Sequence, residues 1–351
     1  MNSNSQSQSS LIIDLYKFIA AQVIVFHHIC SYGPISNSLH ELSPTIAGFL
    51  FDYGRYAVQV FLVIGGYLAC QSIPKALNRN SYLQLVVRRY LRLVPTYFIA
   101  LVITIVCATI ARIWLQDEFV GRQETITQLL AHIFLLQSVL GVDSISAGAW
   151  YVAIDMQLYA FLALLLMFFN NRRVVSLVLI TFIFSSLFYF SQNDYFENYF
   201  IYFVGAYGLG AIANFASEGV DNKSIYRLFL IVGIVILITT FFHFFLRSTI
   251  AWALAFSLIL RGRYFYLPRL NLVTRLIAWG SRCSYGLFLI HFSVILIGNT
   301  IFEAYGFVSP YTALIMGMLV WGVSLILAGF LFTQVESKIG LQTFKKYLVT
   351  R

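Results

Sequence analysis

Apolar runs about 20 residues long recur from one end of this chain to the other, each enough to cross a hydrocarbon core of about 30 Å as a helix. Ten such windows stand out, near residues 11–32, 55–73, 94–114, 150–170, 174–191, 199–216, 226–246, 248–261, 283–303 and 310–334. In hydrocarbon each backbone N–H and C=O needs an internal partner, so runs of this kind fold as helices. Composition agrees: 60% of the 351 residues are hydrophobic and 11% are charged, against about 25% charged in a soluble domain. The expectation is an all-α integral membrane protein of about ten transmembrane helices. It has one membrane domain over 11–335, a polar N-terminal tail at 1–10 and a C-terminal tail at 336–351.

Orientation follows from the loops, because short cytoplasmic loops gather Lys and Arg. Each even-numbered span is followed by basic residues: Lys75, Arg79, Arg88, Arg89 and Arg92; Arg172 and Arg173; Lys223 and Arg227; Arg261, Arg263, Arg269 and Arg275; Lys338, Lys345, Lys346 and Arg351. The opposite loops, 33–54 and 304–309, have none, and 115–149 has only Arg122. Both termini are therefore expected in the cytoplasm. The formal charge of +9 is explained by topology and implies no nucleic-acid partner. The run after Met1–Ser10 is too long, and lacks the basic flank, for a cleaved signal. Segment 125–141 is amphipathic and too short to span, so it reads as an interfacial or re-entrant helix. Cys30, Cys70, Cys107 and Cys283 have no metal-ligand spacing and are expected to be buried thiols; no metal is expected.

Ionisable groups within such spans are costly and invite a functional reading. Span one carries Lys17, His27 and His28. Lys17 and His28 share one stripe of the helix, about 16 Å apart along its axis; a snorkelling lysine and a core histidine are the plainer reading. Arg88, Arg89 and Arg92 cluster at the start of span three, suited either to gripping phosphate or to positive-inside anchoring. Asp155 and Gln157 interrupt the apolar helix opened by Trp150, and Asp155 calls for a role or an arginine partner. His291 and His243 read as further buried imidazoles, while His132 and His40 suggest no role.

Taken in order, these stretches resemble the membrane-bound acyltransferase-3 family. Asp14-Leu15-Tyr16-Lys17 through Phe26-His27-His28 is similar to its opening helix, where an Arg precedes a His with ten residues between; Lys17 stands in the Arg position. Phe61-Leu62-Val63-Ile64-Gly65-Gly66-Tyr67-Leu68 is similar to its FFxLSGFL stretch, with Gly65 where Ser is common. Arg88-Arg89-x-x-Arg92-x-x-Pro95 resembles its arginine-rich run, Trp150 to Tyr159 its WSLSVEEQFY stretch, and Ser284 to His291 its SYSLYLWH stretch.

The resemblance implies a stand-alone O-acyltransferase in the bacterial cytoplasmic membrane. It implies a cytoplasmic acyl-CoA donor, acetyl-CoA first, and a hydroxyl acceptor on a cell-envelope or exported glycan. His28 is then the general base, with His27 its local rival, and a covalent acyl-histidine stays open. Asp155 orients a base or pairs with an arginine. Lys17, Arg88, Arg89 and Arg92 hold the donor phosphates, and Trp150, Tyr285 and His291 line the acceptor side. Two other classes remain: a transporter with helix breaks at Gly65–Gly66 or within Gly205–Gly210, and a non-catalytic anchoring subunit.

Overall fold

A computed structural model describes residues 3–74, 77–217, 222–243, 245–264 and 271–338. Of the basic residues used above for topology, Lys75, Arg269, Lys345, Lys346 and Arg351 lie outside the described residues, as do the side chains of Arg261 and Arg263. The chain order is α1 (Ser3–Ile29), α2 (Gly33–Leu42), α3 (Pro44–Tyr53), α4 (Val58–Ser72), α5 (Arg79–Trp114), α6 (Ile126–Ile133), α7 (Ala149–Phe168) and α8 (Arg172–Phe188). There follow α9 (Phe200–Ser217), α10 (Asn222–His243), α11 (Leu246–Tyr264), α12 (Leu272–Ala304) and α13 (Pro310–Leu331). Among the described residues nine helices are long and apolar enough to cross a membrane, and Leu246–Leu260 is a shorter apolar helix. The protein is an all-α integral membrane protein.

Several boundaries differ from the hydropathy windows for identifiable reasons. The window for span three opens at 94, yet α5 starts at Arg79. Arginine and leucine are good helix formers even where charge lowers hydropathy, and Pro95 is accommodated within the continuous helix. Arg79, Arg88, Arg89 and Arg92 thus sit on a helix rather than in a loop. The expected loop 33–54 is two helices, each with proline in its first turn, where its missing N–H costs nothing. The amphipathic segment is helical only to Ile133, after which Leu135 takes a positive φ and turns follow. His243, expected to be buried, is exposed, and Cys107 is only partly buried.

The chain divides into two compact units. The first comprises 1–16, 58–89 and 153–275; the second comprises 17–57, 90–152 and 276–351. In the first, α9 is the enclosed helix, with 78% of its spanning window buried. It packs on α4, α8, α10 and α11. Its small residues let backbones approach closely: a Cβ on Gly66 would strike the Tyr207 carbonyl, and one on Gly210 the Val63 carbonyl. Both α4 and α9 are unbroken. The half-helix breaks that the transporter reading looked for at Gly65–Gly66 and Gly205–Gly210 are close-packing points instead.

In the second unit α12 is the enclosed helix, also with 78% of its window buried. Hydroxyl and amide groups tie it to its neighbours. Thr104 of α5 and Ser293 pair at 2.8 Å. Asn299 donates to Tyr32 O at 3.2 Å and accepts from Ile35 N at 2.9 Å.

Candidate active site

In the second unit α1 ends at Ile29, in a turn where the His28 carbonyl accepts both Ser31 N–H and Tyr32 N–H. Gly33 completes the turn with φ +75°, and a Cβ there would lie 2.7 Å from the Asn299 side chain. Only glycine fits both conditions. The turn fixes His28 in the last turn of α1 and places Tyr32 against its ring, with centroids 5.3 Å apart.

His28 meets His291 of α12. His28 Nδ1 and His291 Nε2 are 2.6 Å apart, and the two ring planes differ by 4°. Rings stacked face to face would keep their atoms about 3.5 Å apart. Parallel planes with this short contact therefore mean an edge-to-edge hydrogen bond in one common plane. His291 Nδ1 lies 2.9 Å from Leu287 O; a carbonyl only accepts, so that nitrogen carries a hydrogen.

A cavity of about 720 Å³ opens beside His28, lined among others by Tyr32, Phe119, Trp150 and Phe292. Two of its lining residues, Val120 and Phe292, belong to an apolar cluster with Ala108, Ala111, Leu115 and Leu296. Its rim comes from 118–128 and 141–147 and carries Glu118, Arg122, Glu124 and Asp143, within the segment that the charge pattern puts outside.

Three anchors shape that rim. Arg112 of α5 donates to Gly121 O at 3.2 Å, Arg122 O at 2.8 Å and Glu124 at 2.5 Å. His132 of α6, fully buried, bonds Gln128 O through Nδ1 at 2.8 Å and accepts Ile145 N–H on Nε2 at 3.0 Å. Gln137 donates to Ala149 O at 3.1 Å, next to the start of α7. Burial holds the His132 pKa below the ordinary histidine value, against the opposing pull of the Gln128 hydrogen bond.

The other sequence candidates divide clearly. His27 is turned to Leu50 O, 3.0 Å from its Nδ1, and is absent from the cavity wall; the geometry favours His28 over its neighbour. Trp150 lines the cavity. Tyr285 does not: its hydroxyl donates to Leu93 O at 3.0 Å. His291 is wholly buried and reaches the cavity only through His28.

Asp155 belongs to the first unit and forms an ion pair with Arg89 at 2.5 Å. The Arg89 guanidinium also lies over the Tyr159 ring at 4.2 Å. Of the two roles open to Asp155, the structure shows the arginine pair, and it commits Arg89 to that carboxylate. Arg88 and Arg92 are exposed. A Cβ on Gly65 would lie 3.1 Å from the Tyr207 ring and 3.5 Å from Asp155, so Tyr207 fills the space where a serine hydroxyl would project. In the second unit Lys17 and Arg92 both act electrostatically on Glu336, a half-buried residue in a π-helical turn at Phe332–Glu336.

Sequence reasoning missed Tyr207, Asn299, Arg112 and Glu336. Asn299, an amide inside an apolar helix, was a readable signal, and Arg112 bonds a segment that follows it closely in sequence; Tyr207 and Glu336 depend on contacts distant in sequence.

The family model of an acyltransferase domain, that of acyltransferase-3, matches residues 11–333. The chain belongs to the acyltransferase-3 family. This acyltransferase is also similar to the regulator of hypoxia-inducible factor 1 of Caenorhabditis elegans, at 23% identity over 163 residues. That stretch is 42% of this chain and 32% of the nematode protein, so the likeness spans about a third of the relative's length. No solved structure matches the acyltransferase.

Proposed function

We propose that this membrane acyltransferase moves a small acyl group, acetyl first, from cytoplasmic acyl-CoA to a hydroxyl of a cell-envelope or exported glycan at the bacterial cytoplasmic membrane. The observation that carries the reading is His28, nine-tenths buried, at the wall of a cavity with aromatic sides and a polar rim. Aromatic faces suit the apolar faces of a sugar ring, while carboxylates and amides suit its hydroxyls.

In this reading His28 Nε2 takes the proton of the acceptor hydroxyl as its oxygen attacks the thioester carbonyl carbon. The tetrahedral intermediate then collapses, the carbon–sulfur bond breaks, and the thiolate leaves with the proton returned from His28. Atoms and charge balance, and the product is an ester plus free CoA. Positioned general-base catalysis of this kind contributes about 10²- to 10⁴-fold. The exposed Arg88 and Arg92, with Lys17 on α1, are the cations proposed to attract the donor phosphates. Arg89 is assigned a different task, since Asp155 already holds it.

The test is transfer of labelled acetyl from acetyl-CoA in membranes holding the wild type or His28→Ala, with glycans and lipids resolved by mass spectrometry. Label in a glycan with the wild type alone supports the reading. Equal labelling by both proteins removes His28 from catalysis. No labelling by the wild type with any short acyl-CoA rejects the proposed donor.

A further inference from the structure

We infer that His291 is a positioning residue that fixes the tautomer of His28, leaving Nε2 of this cavity-lining histidine bare to accept a proton; the inference rests on the general-base reading of His28. A neutral imidazole carries one hydrogen on one of two nitrogens, and only the bare nitrogen can act as a base. Which nitrogen is bare is decided by what the other one bonds.

The bonds run in one direction from a group that has no choice. Leu287 O accepts, so the hydrogen of His291 sits on Nδ1. With both rings neutral, His291 Nε2 is then an acceptor, and the hydrogen shared across the 2.6 Å contact belongs to His28 Nδ1. His28 Nε2 is left without a hydrogen. The opposite assignment fails at Leu287, where a bare His291 Nδ1 would face a carbonyl oxygen at 2.9 Å with no hydrogen between them. The assignment comes from the hydrogen-bond network, as tautomers must.

The arrangement does the orienting work that a carboxylate does in a serine hydrolase triad, with a neutral partner in place of a charged one. A carboxylate would add a negative charge in a wholly buried place, where an ion is expensive. His291 has no exposed surface and His28 is only 9% exposed. A neutral acceptor holds the ring without that cost, and it still stabilises the imidazolium formed when Nε2 takes the acceptor's proton.

Solid-state NMR of the protein carrying histidine labelled with heavy nitrogen reads the tautomer without any substrate. The wild type is expected to show His28 with Nδ1 protonated and Nε2 bare; a protonated Nε2 at neutral pH overturns the inference. His291→Phe keeps a ring but accepts nothing. It is expected to shift the His28 signal to the Nε2-protonated form and to lower kcat by about 10²-fold with KM for acetyl-CoA unchanged. His291→Gln offers an amide oxygen near the position of Nε2 and is expected to restore the tautomer and bring kcat to within about 10-fold of the wild type. A wild-type rate and tautomer in His291→Phe, beside an inactive His28→Ala, overturn the inference and leave the general-base reading standing. Transfer by His28→Ala removes that reading and this inference with it.

Discussion

A histidine buried outside the spans reports on pH through its hydrogen bonds. His132 accepts Ile145 N–H on Nε2 and therefore must be neutral in the folded state. Its pKa is held down by burial, so its contribution to stability is full above the unfolded-state value of about 6.5. That contribution is lost as pH falls through the lower folded value. The wild type is expected to lose thermal stability in detergent between pH of about 7.5 and about 5, and His132→Gln to lose much less over that interval. An equal loss in both proteins rejects the assignment. The Arg89–Asp155 pair makes a second residue-scale prediction. Removing one member of a largely buried pair strands the other, at a cost of about 3 kcal/mol, so Asp155→Ala is expected to melt well below an Arg89→Met, Asp155→Leu double variant. His28 and Asp155 were legible as ionisable groups in apolar sequence, and Arg89 as part of the basic run Arg88-Arg89-x-x-Arg92. The bond from His28 to His291 spans 263 residues, and nothing local announces it.

Helices were legible where hydropathy and helix propensity agree, and their ends were not where the two diverge. The first fifteen residues of α5, from Arg79 to Leu93, are too polar for a hydropathy window but contain no helix breaker before Pro95. The glycines of α4 and α9 read as breaks in sequence because glycine disfavours an isolated helix; packing of backbone on backbone outweighs that preference. Gly66→Ala and Gly210→Ala each push a methyl group onto a facing carbonyl and are expected to cost about 1–3 kcal/mol, read as a lower thermal midpoint. Alanine tolerated at both positions with no change would reject the close contact. At the rim, Arg112→Ala removes three hydrogen bonds to 121–124. Faster amide exchange confined to 118–125, together with a raised KM for the acceptor, is the expected result.

Neither compact unit is a continuous piece of chain. Four of the five divisions fall within helices, between Tyr16 and Lys17 in α1, Arg89 and Tyr90 in α5, Val152 and Ala153 in α7, and Arg275 and Leu276 in α12; the fifth lies at the start of α4, between Ala57 and Val58. A helix that runs on from one unit into the other cannot melt on one side of such a division without losing backbone bonds on the other. The protein is therefore expected to unfold in detergent in a single transition, coincident by circular dichroism and tryptophan fluorescence; two separated transitions would reject this. The membrane class was readable from the apolar runs and the family from five motif stretches in order; of the ten expected spans, nine stand as long apolar helices among the described residues, and Leu246–Leu260 is shorter. The interleaving was not readable, since it follows from which helices pack together.

The hydrogen-bonded line from His28 through His291 stops at Leu287 O. A peptide carbonyl can receive a hydrogen bond but has no proton of its own to pass on. A row of imidazoles in a bilayer can serve as a wire for protons, and under a membrane potential each charge that crosses releases energy, about 2.3 kcal/mol per 100 mV. This row has a blind end. On the proposed general-base reading, a proton taken up by His28 finds no onward donor along this line past Leu287 O, and returns by the way it came.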